Sequence, residues 1–413
     1  MRPSGSKDYE LICLLRSLLS TDVLVSLKRV EKGSEAGTGP VAGTGASTGA
    51  SSEAGTEPGA ETKSTEGTGT GRGKILEIRT GDATTLEQLK ALLNAYLNTS
   101  GLPSKIHMEG VGDFAVAKAA GDLYPEKESQ GDATETCCPK RMQNKVVIIT
   151  GGAQGFGAGI AESFFREGAN VVIADLNKEK GMELADALNE RNHPNRAHFL
   201  ECDVSDAASV DALVNETARC FGGIDVMISN AGILRAGGLD ELSPADFELM
   251  TKVNYTGYFN CARSAARIMK IQAEANENLY FDIIQINSKS GLSGSKKNFA
   301  YAGGKFGGIG LTQSFALELM PHRIKVNSIC PGNFFEGPLW SDPKTGLFVQ
   351  YLNAGKVPGA KSIEDVKHFY EQQVPAGRGC GTTDVAKAAF YAIEQEYETG
   401  QAIPVTGGQI MLS

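Results

Sequence analysis

The chain has 413 residues, of which 41% are hydrophobic, and it carries a formal net charge of −9 at pH 7. This length exceeds the roughly 100 to 200 residues of a typical domain and predicts one large domain with additional segments. Acidic and basic side chains are interspersed without a basic stripe, which argues against binding to nucleic acid or to an anionic membrane. The eight cysteines include no CxxC pair and no Cys/His cluster, so we expect free thiols in a reducing cytoplasm and no metal site.

The first predicted element is an amphipathic helix over the apolar run Leu11–Leu27. Arg16 and Asp22 interrupt this run and no small-residue cleavage site follows it, which argues against a signal peptide. We assign residues 1–32 to an N-terminal helical segment that either belongs to a core or docks on a surface. Residues 33–73 are almost wholly Gly, Thr, Ser, Ala, Glu and Pro, and we predict a disordered linker because they bury too little apolar surface to fold.

Residues 74–140 predict a small α/β segment of unknown role. The pattern indicates a strand, an amphipathic helix around residues 85–97, and a second short strand and helix. The segment is short for independent folding. A partner-binding element, a degenerate enzyme fragment and an extension that is neutral for activity are all compatible with its sequence.

Residues 141–413 alternate short apolar runs with longer helical stretches. Continuous apolar runs are typical of parallel strands that are buried on both faces of a sheet. Seven such runs predict an α/β domain with a doubly wound, seven-stranded parallel sheet of the Rossmann type. The predicted strands are 145–150, 170–175, 197–203, 224–230, 281–288, 324–330 and 402–408.

The turn TGGAQGFG at Thr150–Gly157 follows the first of these strands and opens a helix. Gly151, Gly155 and Gly157, with Phe156 between the last two, let the backbone turn tightly and approach a dinucleotide pyrophosphate. The helix N-terminus favours the negative charge of that pyrophosphate. A strand before the turn and a helix after it are the context that this cofactor-binding motif requires.

Asp175 ends the second strand and bears on the choice of cofactor. Its carboxylate is placed to accept hydrogen bonds from ribose hydroxyls and would repel a 2′-phosphate, which favours NAD over NADP. Asp175 could alternatively cap the helix that begins near Asn177. The nearby Lys178 and Lys180 keep NADP open as well.

Further cofactor contacts are predicted at the ends of the next two strands. Asp203 ends the third strand, where it would meet the adenine or else cap the helix from Asp206. Asn230, Ala231 and Gly232 follow the fourth strand and have the short side chains needed where a backbone passes close to a cofactor.

Ser288 ends the fifth strand, and Tyr301 and Lys305 lie four residues apart on one face of the following helix. A tyrosine hydroxyl, with a pKa of about 10, exchanges protons poorly at neutral pH unless a positive charge stabilises the phenolate. A lysine ammonium and a positive nicotinamide ring would supply that charge, and Ser288 would hold a substrate oxygen. Each residue alone is compatible with an ordinary position, but the joint spacing beside the glycine turn predicts a hydride-transfer enzyme.

Residues 143–413 resemble the short-chain dehydrogenase/reductase family through the TGxxxGxG turn, the Asn-Ala-Gly sequence, the serine and the YxxxK motif. The resemblance implies that Tyr301 is the general acid/base and that Ser288 orients the carbonyl. It implies that Lys305 lowers the pKa of Tyr301 and binds the nicotinamide ribose. It also implies that Asn254 completes a water-mediated proton relay, or else Asn254 only satisfies a helix kink.

Pro331 and Gly332, at the end of the sixth strand, are the expected neighbours of the nicotinamide. Many family members place a threonine four residues later to hold the nicotinamide amide, whereas this chain has Glu336. We therefore expect the amide contact from the backbone or from another side chain.

Within the family, the stretches 283–319, 331–340, 372–380 and 399–412 resemble sorbitol-6-phosphate 2-dehydrogenases. This resemblance implies NAD-dependent interconversion of D-sorbitol 6-phosphate and D-fructose 6-phosphate. A phosphorylated substrate needs a cation away from the reacting carbon. The candidates, each also compatible with solvated surface, are Arg235, Lys289, Lys296, Lys297 and Arg378.

Residues 333–375 form a long insertion between the last two strands, which would act as a substrate lid. Its patterns indicate helices near residues 347–352 and 362–372, the second capped by Ser362 and Asp365. The aromatic residues of the insertion either line the substrate pocket or pack on one another: Phe334, Phe335, Trp340 and Phe348.

The predicted catalytic helix has a small-residue face of Gly303, Gly304, Gly307 and Gly308. This face would pack on the chain's own sheet or against another copy, and the family resemblance implies a homotetramer or homodimer. Our interpretation is a cytoplasmic, NAD-dependent polyol-phosphate dehydrogenase. The alternatives are a dehydrogenase for another polyol or ketone and a non-catalytic NAD-binding scaffold, against which the complete catalytic set argues.

Overall fold

The computed structural model describes residues 13, 15–17, 26–30, 75–78, 86–100, 102–103, 105–108, 112–117, 140–191, 193–344, 346–353, 355 and 357–411. The predicted linker at 33–73 lies outside these residues, as do Cys137 and Cys138. The six cysteines inside them are unbridged thiols, and five of those are buried. None of the described helices is long and apolar enough to cross a membrane.

The described N-terminal residues form a four-stranded sheet with one helix packed on it. The strands are β1 (Ser26–Val30), β2 (Ile75–Ile78), β3 (Lys105–Met108) and β4 (Gly112–Ala117), and the helix is α1 (Leu86–Ser100). The strand order is β1-β4-β3-β2, in which β2 and β3 run parallel and the other pairs run antiparallel. Leu76, Ile106, Leu93 and Tyr96 form the core between sheet and helix, which confirms the amphipathic helix predicted near residues 85–97.

Two sequence predictions for this N-terminal unit are wrong. Ser26 and Leu27 belong to β1 and not to the end of the predicted N-terminal helix. Residues 112–117 form the strand β4, where a helix was expected after the second strand. Because β1 pairs with β4, the segments 1–32 and 74–140 contribute to one sheet. Pairing between distant strands depends on tertiary packing, and local periodicity does not reveal it.

The described helical residues near the N-terminus, Cys13 and 15–17, contact both this unit and the larger part of the chain. Leu15 packs into the core of the N-terminal unit, whereas Cys13 packs into the core of the larger part. Between them Arg16, 1% exposed, places Nη2 at 2.7 Å from Oδ2 of Asp225 and donates to the Asn144 carbonyl at 3.2 Å. The described residues of this segment therefore belong to the cores of the chain, and a role as a docking surface stays a prediction.

Seven parallel strands run through residues 140–411, which confirms the predicted fold class. The strands are β5 (Val146–Thr150), β6 (Asn170–Asp175), β7 (Ala197–Glu201), β8 (Val226–Ser229), β9 (Phe281–Ile286), β10 (Ile324–Pro331) and β11 (Ala402–Val405). Every residue of β5, β8, β9 and β10 is buried, as expected for strands covered on both faces. The order is β11-β10-β9-β8-β5-β6-β7, so a crevice opens at the carboxyl ends of β5 and β8, where the winding reverses.

Helices cover both faces of this sheet. They are α2 (Gly155–Arg166), α3 (Lys178–Asn189), α4 (Ala207–Phe221), α5 (Pro244–Thr251), α6 (Gly257–Ala275), α7 (Phe299–Leu319), α8 (Pro338–Ser341), α9 (Leu347–Asn353), α10 (Ile363–Gln372) and α11 (Thr382–Glu394). Ile148 faces the core under α4, α6 and α7, which includes Tyr258. Its neighbour Ile149 faces the opposite core, where Phe164 and Phe390 pack. Alternate residues of one strand thus build two separate cores.

The insertion after β10 folds into the three short helices α8 to α10. The Ser362 hydroxyl accepts the Asp365 N–H at 3.1 Å and the Asp365 carboxylate accepts the Ser362 N–H at 2.9 Å, which confirms the predicted helix cap. Phe335, Trp340 and Phe348 are buried and pack in edge-on or tilted orientations with ring centroids 5.0 to 5.7 Å apart. These three aromatic side chains belong to the insertion's own core, together with Leu347, Val357, Val366 and Val374.

Candidate active site

The glycine turn lies at the carboxyl end of β5. Gly151 and Gly155 have φ angles of +61° and +62°, in the left-handed region that favours glycine. A side chain at Gly157 would collide with the Gly151 carbonyl, whereas open space surrounds the Cβ position of Gly155. The turn is therefore tightly packed at Gly157 and open at Gly155, beside the N-terminus of α2. This geometry fits a dinucleotide pyrophosphate.

Asp175 anchors the glycine turn from the end of β6. Its Oδ2 accepts the Ala153 N–H at 3.0 Å and its Oδ1 accepts the Asn177 N–H at 2.9 Å. The helix α3 is capped by Asn177, whose side chain accepts the Lys180 N–H at 3.1 Å. Asn177, and not Asp175, therefore caps this helix, and the Asp175 carboxylate lies directly beside the glycine turn.

Asp203 likewise leaves helix capping to a neighbour. The N-cap of α4 is Asp206, whose side chain accepts the Ala208 N–H at 3.0 Å. Asp203 instead accepts the Ser205 N–H at 2.9 Å in the loop after β7. Its carboxylate thus lies at the same edge of the sheet as Asp175, one strand farther from the crevice.

The Asn-Ala-Gly sequence after β8 is tied to the glycine turn through Thr150. The Thr150 hydroxyl accepts the N–H groups of Asn230 and Ala231 at 3.1 and 3.2 Å. The Asn230 amide donates to the carbonyls of Thr150 and Gly151, both at 2.9 Å. Sequence reasoning missed the role of Thr150, although its place directly before Gly151 is a usable signal.

Ser288, Tyr301 and Lys305 meet where β9 ends and α7 begins. The Ser288 side chain accepts the Ser290 N–H at 3.1 Å and lies close enough to Tyr301 to affect the pKa of its hydroxyl. Burial raises the pKa of Tyr301 above its usual value, and the nearby Ser288 side chain acts in the opposite direction. The net pKa shift of Tyr301 within the chain is therefore upward, and its lowering by Lys305 together with a bound nicotinamide stays a prediction.

Lys305 is 3% exposed and has no acidic partner among the described residues. Its Nζ donates to the Ile286 carbonyl at 2.8 Å and lies 5.6 Å from the centre of the Tyr301 ring. Burial lowers the pKa of Lys305 to about 8. Gly232 faces this group, since a Cβ there would lie 3.8 Å from Lys305 Nζ and 3.0 Å from Asn254 Oδ1. Lys305, Asn254 and the Asn-Ala-Gly loop thus converge on one point.

Asn254 lies in a π-helical turn, Lys252–Thr256, between α5 and α6. Its Oδ1 accepts the Ile233 N–H and its Nδ2 donates to the Ile233 carbonyl, both at 2.8 Å. The buried side chain therefore holds the loop after Gly232 in place. Isolated π-helical turns are frequent at functional sites, so the kink alternative and a position in the active site are compatible.

Comparison with known proteins decides the family. Residues 145–339 match the family model of short chain dehydrogenases. The chain is 37% identical over 270 residues to sorbitol-6-phosphate 2-dehydrogenase of Escherichia coli (strain K12), a match that covers 65% of this chain and 99% of that protein. The chain belongs to the short-chain dehydrogenase family.

Two further relatives support the family assignment. The chain is 31% identical over 273 residues to galactitol 2-dehydrogenase of Agrobacterium fabrum, covering 66% of this chain and 99% of that protein. The crystal structure of sorbitol-6-phosphate 2-dehydrogenase from Erwinia amylovora matches with a TM-score of 0.59 and 37% identity, over 65% of this chain and all of that chain. About a third of this chain therefore has no counterpart in these short-chain dehydrogenases.

Two contacts of the short-chain dehydrogenase site escaped sequence reasoning. Asn287 donates to the Lys305 carbonyl at 2.9 Å and accepts the Ser288 N–H at 2.8 Å, so it links two of the predicted catalytic residues. Phe156 stacks on Phe334 with ring centroids 4.5 Å apart, which joins the glycine turn to the insertion. The only sequence signal for Asn287 is its position before Ser288, and Phe156 and Phe334 are too distant along the chain for a local signal.

The loop after β10 begins at Pro331 and Gly332. The Gly332 N–H donates to the Val405 carbonyl at 2.9 Å, and a Cβ on Gly332 would lie 3.0 Å from Oε1 of Gln409. Glu336, which replaces the threonine common in short-chain dehydrogenases, is exposed. A contact of the nicotinamide amide with the backbone or with another side chain stays a prediction.

Three of the five candidate cations for the substrate occupy different environments. Arg235 is 62% exposed and lies 3.9 Å from Asp246. Lys296 is exposed to solvent. Lys289 directly follows Ser288 and is partly buried, in a short 3₁₀ turn over Lys289–Gly291. The structure therefore separates residues that looked equivalent in the sequence.

Proposed function

We propose that this short-chain dehydrogenase interconverts D-sorbitol 6-phosphate and D-fructose 6-phosphate with NAD(H). The observation that carries the proposal is the meeting of Ser288, Tyr301 and Lys305 at the carboxyl edge of the sheet. The 37% identity to a sorbitol-6-phosphate 2-dehydrogenase, over nearly all of that enzyme, supports the substrate class.

Tyr301 acts as the general acid/base in the proposed reaction. In the direction of reduction its hydroxyl donates a proton to the ketone oxygen, which Ser288 holds by a hydrogen bond. When bound, NADH supplies the hydride that reduces the carbonyl carbon. Lys305 stabilises the phenolate that Tyr301 leaves and binds the nicotinamide ribose. Asn254 positions the loop beside them and contributes to the relay that returns a proton to Tyr301.

The same edge of the sheet would hold NAD. Asp175 would accept the ribose hydroxyls and repel the extra phosphate of NADP. Lys180, one of the two lysines that made NADP an alternative in the sequence analysis, donates to Oε1 of Gln154 at 3.1 Å. The remaining proposed cofactor contacts are Gly151, Gly155, Phe156, Gly157, Asp203, Asn230, Ala231, Gly232, Tyr301, Lys305, Pro331 and Gly332.

We further propose a cytoplasmic homotetramer or homodimer. On α7, a Cβ at Gly308 would collide with Gln285 of the same chain, whereas a Cβ at Gly303 would meet open space. Phe306 and Leu317 on the same helix are 46% and 83% exposed. This apolar stripe is suited to a second copy, and light scattering of the purified chain measures the assembly. The unbridged thiols support a reducing compartment.

The test of the proposed reaction is NADH oxidation by the purified chain with fructose 6-phosphate, run beside fructose and beside NADPH. Turnover with fructose 6-phosphate and NADH supports the proposal. Equal turnover with fructose would favour an unphosphorylated polyol, an alternative that the resemblance to galactitol 2-dehydrogenase keeps in view. Absence of turnover with every pair would contradict the substrate and leave a different ketone or a non-catalytic scaffold.

A further inference from the structure

The cations around the cleft differ in whether an acid neutralises them. Arg378 pairs with Asp384 at 2.6 Å, and Lys297 pairs with Glu241 at 2.7 Å. Arg235 lies 3.9 Å from Asp246, and both line a polar cavity of about 240 Å³ together with Glu241. Because this cavity holds two carboxylates and one guanidinium, it is better suited to sugar hydroxyls than to a phosphate.

Lys289 is the exception among these groups. It is partly buried, and no described residue forms an ion pair or a side-chain hydrogen bond with it. Burial lowers the pKa of Lys289, and no acid opposes that effect. A desolvated ammonium without a counter-charge is costly for the folded chain, and a bound anion would remove much of that cost. Lys296, by contrast, is exposed, where water screens its charge.

The backbone around Lys289 is held in place beside the catalytic groups. Ser288 caps the 3₁₀ turn by accepting the Ser290 N–H at 3.1 Å, and the Gly291 N–H donates to the Ser288 carbonyl at 2.9 Å. A Cβ on Gly291 would lie 3.1 Å from the Lys305 carbonyl and would collide with Asn287. The base of the Lys289 side chain is thus anchored one residue from the hydroxyl that would hold the substrate carbonyl.

The reach of a lysine matches the length of the proposed substrate. A lysine side chain spans roughly 6 Å from Cα to Nζ when extended. In an extended ketose 6-phosphate, the phosphorus lies roughly 7 to 8 Å from the carbonyl carbon, by standard bond lengths. A substrate whose carbonyl lies at Ser288 and Tyr301 can therefore bring its phosphate to Lys289.

We propose that Lys289 binds the phosphate of the substrate while Ser288 and Tyr301 hold its carbonyl, which makes Lys289 the residue that selects phosphorylated over free ketoses. This inference rests on the proposed function, and it assigns the cavity beside Arg235 to the uncharged hydroxyls.

The test compares Lys289→Met, Lys289→Arg and Lys296→Met with the unaltered chain. Steady-state rates with fructose 6-phosphate and with fructose separate KM from kcat, and calorimetry measures binding of fructose 6-phosphate and of inorganic phosphate. We expect Lys289→Met to raise KM for fructose 6-phosphate roughly 10- to 100-fold with little change in kcat, the effect of one lost charge-assisted hydrogen bond. Lys289→Arg should recover most of the affinity, and Lys296→Met should change KM less than about threefold.

The outcomes distinguish this inference from the proposed function. If the unaltered chain turns over fructose 6-phosphate and Lys289→Met leaves KM unchanged, or lowers kcat for both sugars alike, the assignment of Lys289 is wrong and the proposed function stands. If the chain does not turn over fructose 6-phosphate but binds inorganic phosphate only when Lys289 is present, the anion site stands and the reaction is wrong. Absence of both turnover and phosphate binding would overturn both.

Discussion

Buried cations at the two ends of the seven-stranded sheet differ in whether they have acidic partners. At the amino end Lys325 of β10 is fully buried, forms an ion pair with Asp282 at 3.0 Å, and donates to three carbonyls at the C-terminus of α11. Arg16 and Asp225 form a second buried pair at this end, and the Val146 N–H also donates to Asp225 at 2.7 Å. Folding itself supplies the partners of these charges.

At the carboxyl end Lys305 is almost as buried as Lys325 but has one carbonyl partner and no acid among the described residues. Lys289 has neither kind of partner within that part of the chain. The buried charges at the amino end of the sheet thus have ion-pair partners within the chain. The buried and partly buried lysines at the carboxyl end lack such partners among the described residues. Unsatisfied groups of this kind are expected at functional sites, where local rules of stability are broken for a ligand.

The largest expected effect falls at the carboxyl end, on Tyr301. Tyr301→Phe keeps the ring and removes the hydroxyl that donates the proton, so we expect kcat/KM for fructose 6-phosphate to fall about 10³-fold. NADH binding, measured by fluorescence titration, should remain within a few-fold. Tyr391→Phe removes an exposed hydroxyl on α11 and serves as the control. Unchanged activity in Tyr301→Phe would favour the non-catalytic scaffold.

At the amino end we expect a loss of stability without a specific loss of chemistry. Lys325→Met would leave Asp282 buried without its partner and the last carbonyls of α11 without a donor. The free energy of unfolding, measured with denaturant, should fall by about 3–5 kcal/mol. A change below about 1 kcal/mol would mean that water or a rearranged side chain replaces the ammonium.

The Arg16 pair tests whether the N-terminal unit is part of the same folded body. Arg16→Met leaves the Asp225 carboxylate buried, with the Val146 N–H as its remaining hydrogen-bond donor among the described residues. We expect the unfolding free energy of the whole chain to fall by about 3 kcal/mol. Asp225→Asn in the same chain removes the unpaired charge and should recover part of the loss. Equal losses in the single and double variants would show that the charge pair is not the cause.

The smallest expected effect on stability is at Lys305. Its pKa falls from the ordinary 10.5 to about 8 in the folded chain. As pH falls from about 10.5 to 8, Lys305 is protonated in the unfolded chain before it is protonated in the folded chain. The free energy of unfolding therefore falls by up to roughly 3 kcal/mol, and this loss is fully present at pH 7. Lys305→Met removes this loss together with one hydrogen bond.

We therefore expect the unfolding free energy of Lys305→Met to be equal to or higher than that of the unaltered chain at pH 7. The difference in unfolding free energy between Lys305→Met and the unaltered chain should shrink between pH 8 and pH 10.5. Over this range Lys305 becomes neutral first in the folded state and then in the unfolded state, so its burial costs less. Denaturant unfolding at pH 7 and pH 10 measures both values. If Lys305→Met instead lost several kcal/mol of unfolding free energy at pH 7, as expected for Lys325→Met, the two lysines would not differ in their effect on stability and the prediction would be wrong.

Much of the fold was readable from the sequence because its signals are local. The apolar run before Thr150 and the glycines after it predict a strand, a turn and a helix in adjacent positions. The cap at Ser362 and Asp365 is equally local, and the structure confirms it. The strand Ser26–Val30 was missed because its partner Gly112–Ala117 lies far along the chain.

By itself the sequence determined the seven-stranded sheet, its helices and the identity of the residues that meet at its carboxyl edge, since periodicity and short motifs encode these features. Only the tertiary structure decided which charges are paired. Arg16 finds Asp225 across the chain and Lys297 finds Glu241, whereas Lys289 finds no described partner. The physical reason is that a side chain's neighbours, and hence its desolvation and its counter-charge, depend on contacts between distant segments that no local pattern records.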